Sequence, residues 1–351
     1  MRTATITWIY YENFGTYLQA YALQKSIIDL GHENVIIDDS FFYRPSLKGH
    51  IKKVMIDIMK GKSFSHKAYQ RFKRENLGVE NFTGDTDEIK DKFDAYICGS
   101  DQIWSPYLEF NPYYYLGFTS RKKIAYAPST GTGSCTEQYK QNVKPHIDKF
   151  SHVAVREEAG QKMLSSFIDK NIDVVLDPTL LLTKEQWDRV ECKVNVDSPY
   201  ILCYFLTPNQ WYLDYVKDYA IKHNKHIKIF NTNPRYKSMG FETIEAGPGE
   251  FISYIKNAEK VFTDSFHSSI FSILYHKDII TFKRFEDGGQ KDQNARIANL
   301  FSKLGIPSYF IGKDEIDKVE EFATPDYTKV EEKLTSYREA SRTYLKNAIE
   351  S

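Results

Sequence analysis

At 351 residues the chain exceeds what one hydrophobic core normally supports, so two domains are expected. Its 47 Lys and Arg balance 47 Asp and Glu, and a net charge of zero excludes bulk electrostatic attraction to nucleic acid. Cys98, Cys135, Cys192 and Cys203 form no CxxC pair, MRTATITW is no charged-then-apolar leader, and no apolar run nears ~18 residues; these features predict a cytoplasmic protein with reduced thiols and no membrane span.

Apolar strands alternate with helical patterns along the chain, which predicts parallel sheets covered on both faces. The first unit reads as strand ATITWI, loop YYENFG, helix TYLQAYALQKSIIDL stopped at Gly31, and strand ENVIIDD. Leu18, Ala22, Leu23, Ile27 and Leu30 fall at helical spacing and give that helix an apolar face. From Arg44 to Arg74, ten Lys or Arg stand against the single Asp57, with Leu47, Ile51, Val54, Met55 and Ile58 on one helical face. Such a basic amphipathic segment either lies on an anionic lipid surface or packs its stripe on its own domain and solvates its lysines. Strands follow at DAYICGS, KIAYAPSTG, HVAVREEAG and IDVVLDPTLLL, each with polar or glycine residues just after its apolar run. In an open α/β sheet those ends share one rim, where ligands bind.

The charged, aperiodic run KEQWDRVECKVNVDS marks a linker over 184–198 between an N-terminal domain, 1–183, and a C-terminal one, 199–325. In the second, PYILCYFL, HIKIF, KVFT and DIITF alternate with helices from about Asn209, Glu250 and Ser268. Residues 326–351 read as a charged amphipathic helix that packs back on the first domain. The fold class expected is therefore α/β, with two Rossmann-like domains.

The stretch TDSFHSSIF places His267 where strand KVFT gives way to a helix. A helix N-terminus presents unbonded N–H groups that attract phosphate or carboxylate, and Ser265, Ser268 and Ser269 add short donors. An imidazole beside a bound anion suits a general acid near neutral pH. The same residues also fit a capped helix with a structurally hydrogen-bonded histidine. Other chemistries lack their signatures. There is no GxGxxG, GxxxxGK or GxSxG, and HNKH at 223–226 has no third ligand, so no metal is expected.

Taken together, NFGTYLQAYALQ (13–24), FDAYICGSDQIW (93–104), KIAYAPSTG (123–131), VREEAG (155–160), LDPTLLL (176–182) and TDSFHSSIFSILYHKDIITF (263–282) resemble the polysaccharide pyruvyl transferase family. The resemblance implies a GT-B-like architecture of two Rossmann-like domains facing a cleft that holds the active site. It implies phosphoenolpyruvate as donor, a cell-surface glycan or its lipid-linked precursor as acceptor, and a pyruvate ketal bridging two sugar hydroxyls as product. No redox cofactor is needed. The protein must hold a phosphate and a carboxylate, supply one acid and accept protons from hydroxyls.

Within that frame His267 is the acid, and Arg156 resembles the family's donor-binding arginine; Arg156 also has Glu157 and Glu158 as salt-bridge partners in sequence. The family pattern often reads Arg-Leu-His, where this chain has Ser265, Phe266 and His267, so a cation is lost from the donor side. Lys283 and Arg284, after DIITF, are replacement cations, joined on the donor side by Ser265, Ser268 and Ser269. The acceptor side falls to Asn13 and Gly15 in the first loop, to Ser100, Gln102 and Trp104 of GSDQIW, and to Tyr126, Ser129 and Thr130. Asp101 either takes a proton from the attacking hydroxyl or caps a helix. Contact with the inner membrane surface through 44–74 would bring the protein to a lipid-linked acceptor. Two rival readings are a GT-B-type glycosyltransferase with a nucleotide-sugar donor and a non-catalytic glycan-binding protein.

Overall fold

The structure is a computed structural model that describes residues 1–43, 63–285 and 294–351. The chain divides into two compact units, one comprising described residues 1–43, 73–182 and 335–351, the other 63–72, 183–285 and 294–334. The amphipathic face expected from Leu47 to Ile58 lies outside the described residues. The described end of that basic stretch, helix Ser63–Asn76, buries Ala68, Tyr69 and Phe72; Arg71 pairs with Glu250 and Lys73 with Asp38.

The first unit is built on seven parallel strands: β1 (Arg2–Ile6), β2 (Glu33–Ile37), β3 (Val79–Glu80), β4 (Ala95–Cys98), β5 (Lys122–Tyr126), β6 (His152–Val155) and β7 (Asp173–Val174). Their order is β3-β2-β1-β4-β5-β6-β7. Successive residues serve opposite faces, as strand pleating requires: Tyr96 and Cys98 belong to one core cluster, Ala95 and Ile97 to another. Burial on both faces explains why these strands read as apolar runs. Helix Phe14–Asp29 packs Leu23 and Ile27 into the second cluster and starts at Asn13, whose Oδ1 accepts from Gly15 N at 2.9 Å.

The second unit repeats the plan with β8 (Tyr200–Tyr204), β9 (His226–Phe230), β10 (Glu242–Ile244), β11 (Lys260–Thr263), β12 (Asp278–Phe282) and β13 (Phe310–Ile311). The order is β10-β9-β8-β11-β12-β13, all parallel. The chain reverses direction across the sheet between β1 and β4 in one unit and between β8 and β11 in the other. In such sheets ligands sit beyond the strands' carboxyl ends at these switch points.

The run expected as a linker contains the short helix Lys184–Asp188, then no regular element before β8. The final helix, Tyr327–Glu350, begins in the second unit, where Tyr327 Oη hydrogen-bonds to Lys277 O. Its last turns belong to the first unit: Leu345, Ala348 and Ile349 sit in the cluster with Leu23 and Ile97, and Tyr344 Oη donates to Ala125 O at 3.2 Å. No helix among the described residues is long and apolar enough to cross a membrane.

Candidate functional site

In the first unit the loops after β1, β4, β5, β6 and β7 meet in one buried polar network. Gln19, on the helix after β1, donates to Thr7 Oγ1 at 2.9 Å and accepts from Ser100 N at 3.0 Å. Ser100 Oγ in turn reaches Ala127 O at 3.1 Å and Asp177 Oδ2 at 3.2 Å. Asp101 Oδ2 accepts from Thr16 Oγ1 at 3.0 Å, and its backbone sits at φ 62, in the left-handed region. Gly99 makes the approach to β5 possible: with φ +122, a Cβ there would lie 2.0 Å from Tyr126 O.

Arg156, directly after β6, is buried between carboxylates. Its Nη1 is 2.6 Å from Asp177 Oδ2 and its Nε 3.6 Å from Glu157 Oε2. Burial alone pulls the guanidinium pKa down, but Asp177, Glu157 and Asp101 outweigh it and hold the pKa above its ordinary value. Glu157 Oε1 accepts from Ser129 Oγ at 2.8 Å, Thr130 N at 2.8 Å and Gly131 N at 3.0 Å. Of the salt-bridge partners expected in sequence, Glu157 thus shares Arg156 with Asp177. Asp177 lay outside the expected site. The signal was present in sequence: VREE and VVLDP each end a strand in a charge, and adjacent parallel strands bring such ends together.

Five residues expected to face a sugar, Ser100 among them, are enclosed instead. Trp104 has no exposed surface; it stacks on Tyr115 with ring centroids 5.3 Å apart, and its indole N–H donates to Tyr114 O at 3.1 Å. Tyr126 is also fully buried, its hydroxyl donating to Leu176 O at 3.1 Å. Ser129 and Thr130 are buried and bound to Glu157. A side chain already packed and hydrogen-bonded in the core has no face left for a pyranose. Ser100 is likewise buried, whereas Asn13 and Gln102 are half-buried; Gly15 is buried within the first turn of its helix.

In the second unit helix Phe266–Leu274 follows β11 at the switch point. Ser265 caps it, its Oγ accepting from Ser268 N at 3.4 Å. His267 stands in the first turn, 8% exposed, with its ring edge-on to Phe266. Ser268 Oγ is buried without a hydrogen-bond partner among the described residues, while Ser269 Oγ is engaged by Ser265 O and Thr281 Oγ1. Asp264 ties the loop after β8 to this turn, accepting from Leu206 N at 2.6 Å, Thr207 N at 3.0 Å and Tyr212 Oη at 2.9 Å. Burial raises its pKa, against the pull of those donors and of Arg284.

Arg284 follows β12 and donates from Nε to Thr207 Oγ1 at 2.7 Å. With Lys283, Lys313 and Trp211 it lines a cavity of about 720 Å³ beyond the carboxyl ends of β12 and β13. The structure thus gathers Ser265, His267, Ser268 and Ser269 in one helical turn and Lys283 and Arg284 in a neighbouring loop of the same rim. Among the described residues no group of three or more His, Cys, Asp or Glu could hold a metal ion.

Sequence reading missed Asp39, just after β2. It is fully buried, accepting from Ile9 N at 3.2 Å and Tyr114 Oη at 3.0 Å, and burial pushes its pKa up to about 7.

The profile of the family described as polysaccharide pyruvyl transferase matches residues 13–283. No curated protein matches the sequence. Among solved structures, the chain is similar to UDP-GlcNAc 2-epimerase of Methanocaldococcus jannaschii in complex with UDP-GlcNAc and UDP, with TM-score 0.52 and 14% identity over 96% of this chain and 99% of that one. UDP-N-acetylglucosamine 2-epimerase from Rickettsia bellii gives TM-score 0.52 and 11% identity over 98% of both chains. An α-glucosyltransferase in complex with UDP gives 0.50 and 7%, covering 97% of this chain and 94% of that one. At these identities the likeness establishes the fold, a GT-B-type pair of Rossmann-like sheets, as expected from the sequence. With more than half its length matched in chain order, the chain belongs to the polysaccharide pyruvyl transferase family.

Proposed function

We propose that the protein transfers the pyruvyl group of phosphoenolpyruvate to two hydroxyls of one sugar in a cell-surface polysaccharide or its lipid-linked precursor, forming a ketal. The observation that carries the reading is His267 in the first turn of the helix after β11, within the matched region. The donor's methylene carbon takes a proton and one sugar hydroxyl adds to the adjacent carbon. Phosphate leaves and the second hydroxyl closes the ketal. One of the two hydroxyl protons balances the new methyl group and the other leaves with phosphate. No electron changes hands, so no redox cofactor enters.

His267 is the proposed acid, or the group that neutralises the departing phosphate. The helix N–H groups beside Ser268, with Lys283 and Arg284, are the proposed anion holders. Arg156 already faces two carboxylates, so a donor group engaging it has to compete with Asp177. Asp101, anchored by Thr16, is the proposed proton acceptor for the sugar hydroxyl. Phosphoenolpyruvate is a cytoplasmic metabolite, so a lipid-linked acceptor would be met at the inner membrane face.

The test is incubation with phosphoenolpyruvate and a panel of lipid-linked and free sugars. Phosphate release dependent on the sugar, together with an acid-labile carboxylated product, supports the proposal. Phosphoenolpyruvate left intact with every acceptor would overturn it. The cavity lined by Trp211, Lys283, Arg284 and Lys313 favours a second reading, a nucleotide-sugar donor, because its three cations outnumber Asp314 and Glu315 on the same wall and stand beside a ring platform, which suits a nucleoside diphosphate. Turnover of a nucleotide sugar in the same panel without use of phosphoenolpyruvate would select it.

A further inference from the structure

The first unit holds a cavity of about 660 Å³ that none of the proposed catalytic groups enters. Its walls come mainly from three segments far apart in sequence, Trp8 and Tyr11 after β1, Phe42 beyond β2 and the run 103–115 after β4, with Tyr139 of helix Glu137–Ile147 behind them. All three segments follow the carboxyl ends of strands on either side of the β1/β4 switch point, where an open α/β sheet receives ligands. The size lies within the range of small-ligand sites, ~300–1,000 Å³.

The lining has a definite chemistry. Trp8 stands perpendicular to both Tyr11 and Tyr114, with centroids 5.8 and 6.3 Å apart, which makes a corner of ring faces and edges. The rings are fixed from behind: Tyr114 Oη is held by Asp39 at 3.0 Å, and Tyr115 Oη meets Tyr139 Oη at 3.4 Å, itself bound to Trp104 O at 2.8 Å. Ser105, Glu109 and Asn111 place hydroxyl, carboxylate and amide groups among these rings. No Lys, Arg or His is among the described lining residues. Among those described residues a phosphate or carboxylate would meet Glu109's like charge, which disfavours the donor. A polyprenyl chain would leave the polar groups without partners. A neutral pyranose, with apolar C–H faces and a polar hydroxyl edge, satisfies both kinds of wall.

The geometry points to a binding site for a neutral sugar ring of the acceptor glycan in this cavity, with ring faces of Trp8 and Tyr11 against the sugar and Glu109 and Asn111 on its hydroxyls. This inference rests on the pyruvyl-transfer reading for the identity of the glycan as acceptor, but the binding site itself is testable without turnover.

The experiment is saturation-transfer NMR and calorimetric titration of the full chain with the methyl glycosides of N-acetylmannosamine, N-acetylglucosamine, galactose and glucose. At least one glycoside is expected to bind, with transfer concentrated on its ring C–H protons. Tyr11 is 45% exposed and Glu109 is exposed, so Tyr11→Ala and Glu109→Gln keep the fold, checked by an unchanged Tm. Each weakens glycoside binding about three- to tenfold and leaves phosphoenolpyruvate affinity unchanged. No binding by any glycoside at tens of millimolar, or binding indifferent to both substitutions, overturns the site. Glycoside binding that follows the substitutions while phosphoenolpyruvate is never consumed keeps the site and sinks pyruvyl transfer. Sugar-dependent phosphate release with acceptor KM unmoved by either substitution does the reverse.

Discussion

Arg156 Nη1 and Asp177 Oδ2 lie 2.6 Å apart with both side chains closed to water, joining the end of β6 to the end of β7. Breaking one side of a buried ion pair strands the other charge, so Asp177→Asn should lower unfolding stability by about 3–5 kcal/mol in urea titrations. A loss under about 1 kcal/mol would show the pair to be dispensable. Arg156→Lys separates two roles. It keeps the charge but loses the fork, so a raised KM for phosphoenolpyruvate places the guanidinium on the donor, whereas an unchanged KM with lower stability leaves it to the carboxylates.

Asp39 makes stability depend on pH in a definite sense. Its carboxyl holds a proton in the fold up to about pH 7, whereas the unfolded chain gives it up near 3.8. The folded state therefore binds the extra proton across this window. The contribution is full below the lower value and is lost as pH rises through the upper, at up to ~1.4 kcal/mol per pH unit. Asp39→Asn stays neutral throughout, so the variant should gain on the native protein between pH 5 and 8 in thermal unfolding. A constant difference over that range would refute the assignment.

His267→Gln keeps a polar side chain in the first turn but cannot transfer a proton at neutral pH. The expected fall in turnover is about 10²- to 10⁴-fold with Tm unchanged. A folded variant with near-native turnover would remove His267 from the chemistry.

Gly99→Ala should destabilise by ~2 kcal/mol or more, because the added methyl meets backbone, Tyr126 O at 2.0 Å, at a positive φ. Chemical denaturation reads this directly; near-native stability would mean that β4 and β5 separate there at little cost.

Much of the sheet architecture was legible because parallel strands buried on both faces write themselves as short apolar runs, and polar residues at their ends mark the rim. His267 and the capping Ser265 could be placed from TDSFHSS alone, since strand-to-helix turns obey local rules. Trp104 could not, because whether a ring faces a ligand or Tyr115 is decided by a residue from another loop. Asp39 and Tyr114 escaped notice for the same reason: 75 residues separate a carboxyl and a hydroxyl that bond at 3.0 Å. Spacing along the chain carries no trace of such partnerships.

The helix Tyr327–Glu350 also fixes an order of events during synthesis. Leu345, Ala348 and Ile349 close the apolar layer around Leu23 and Ile97, so the unit whose sheet is made before the other's is the one that must wait longest to be sealed. Until those turns have emerged, the earliest-made sheet carries an open oily seam, and a nascent chain stalled before residue 345 would be bound by chaperones through its first half rather than its second.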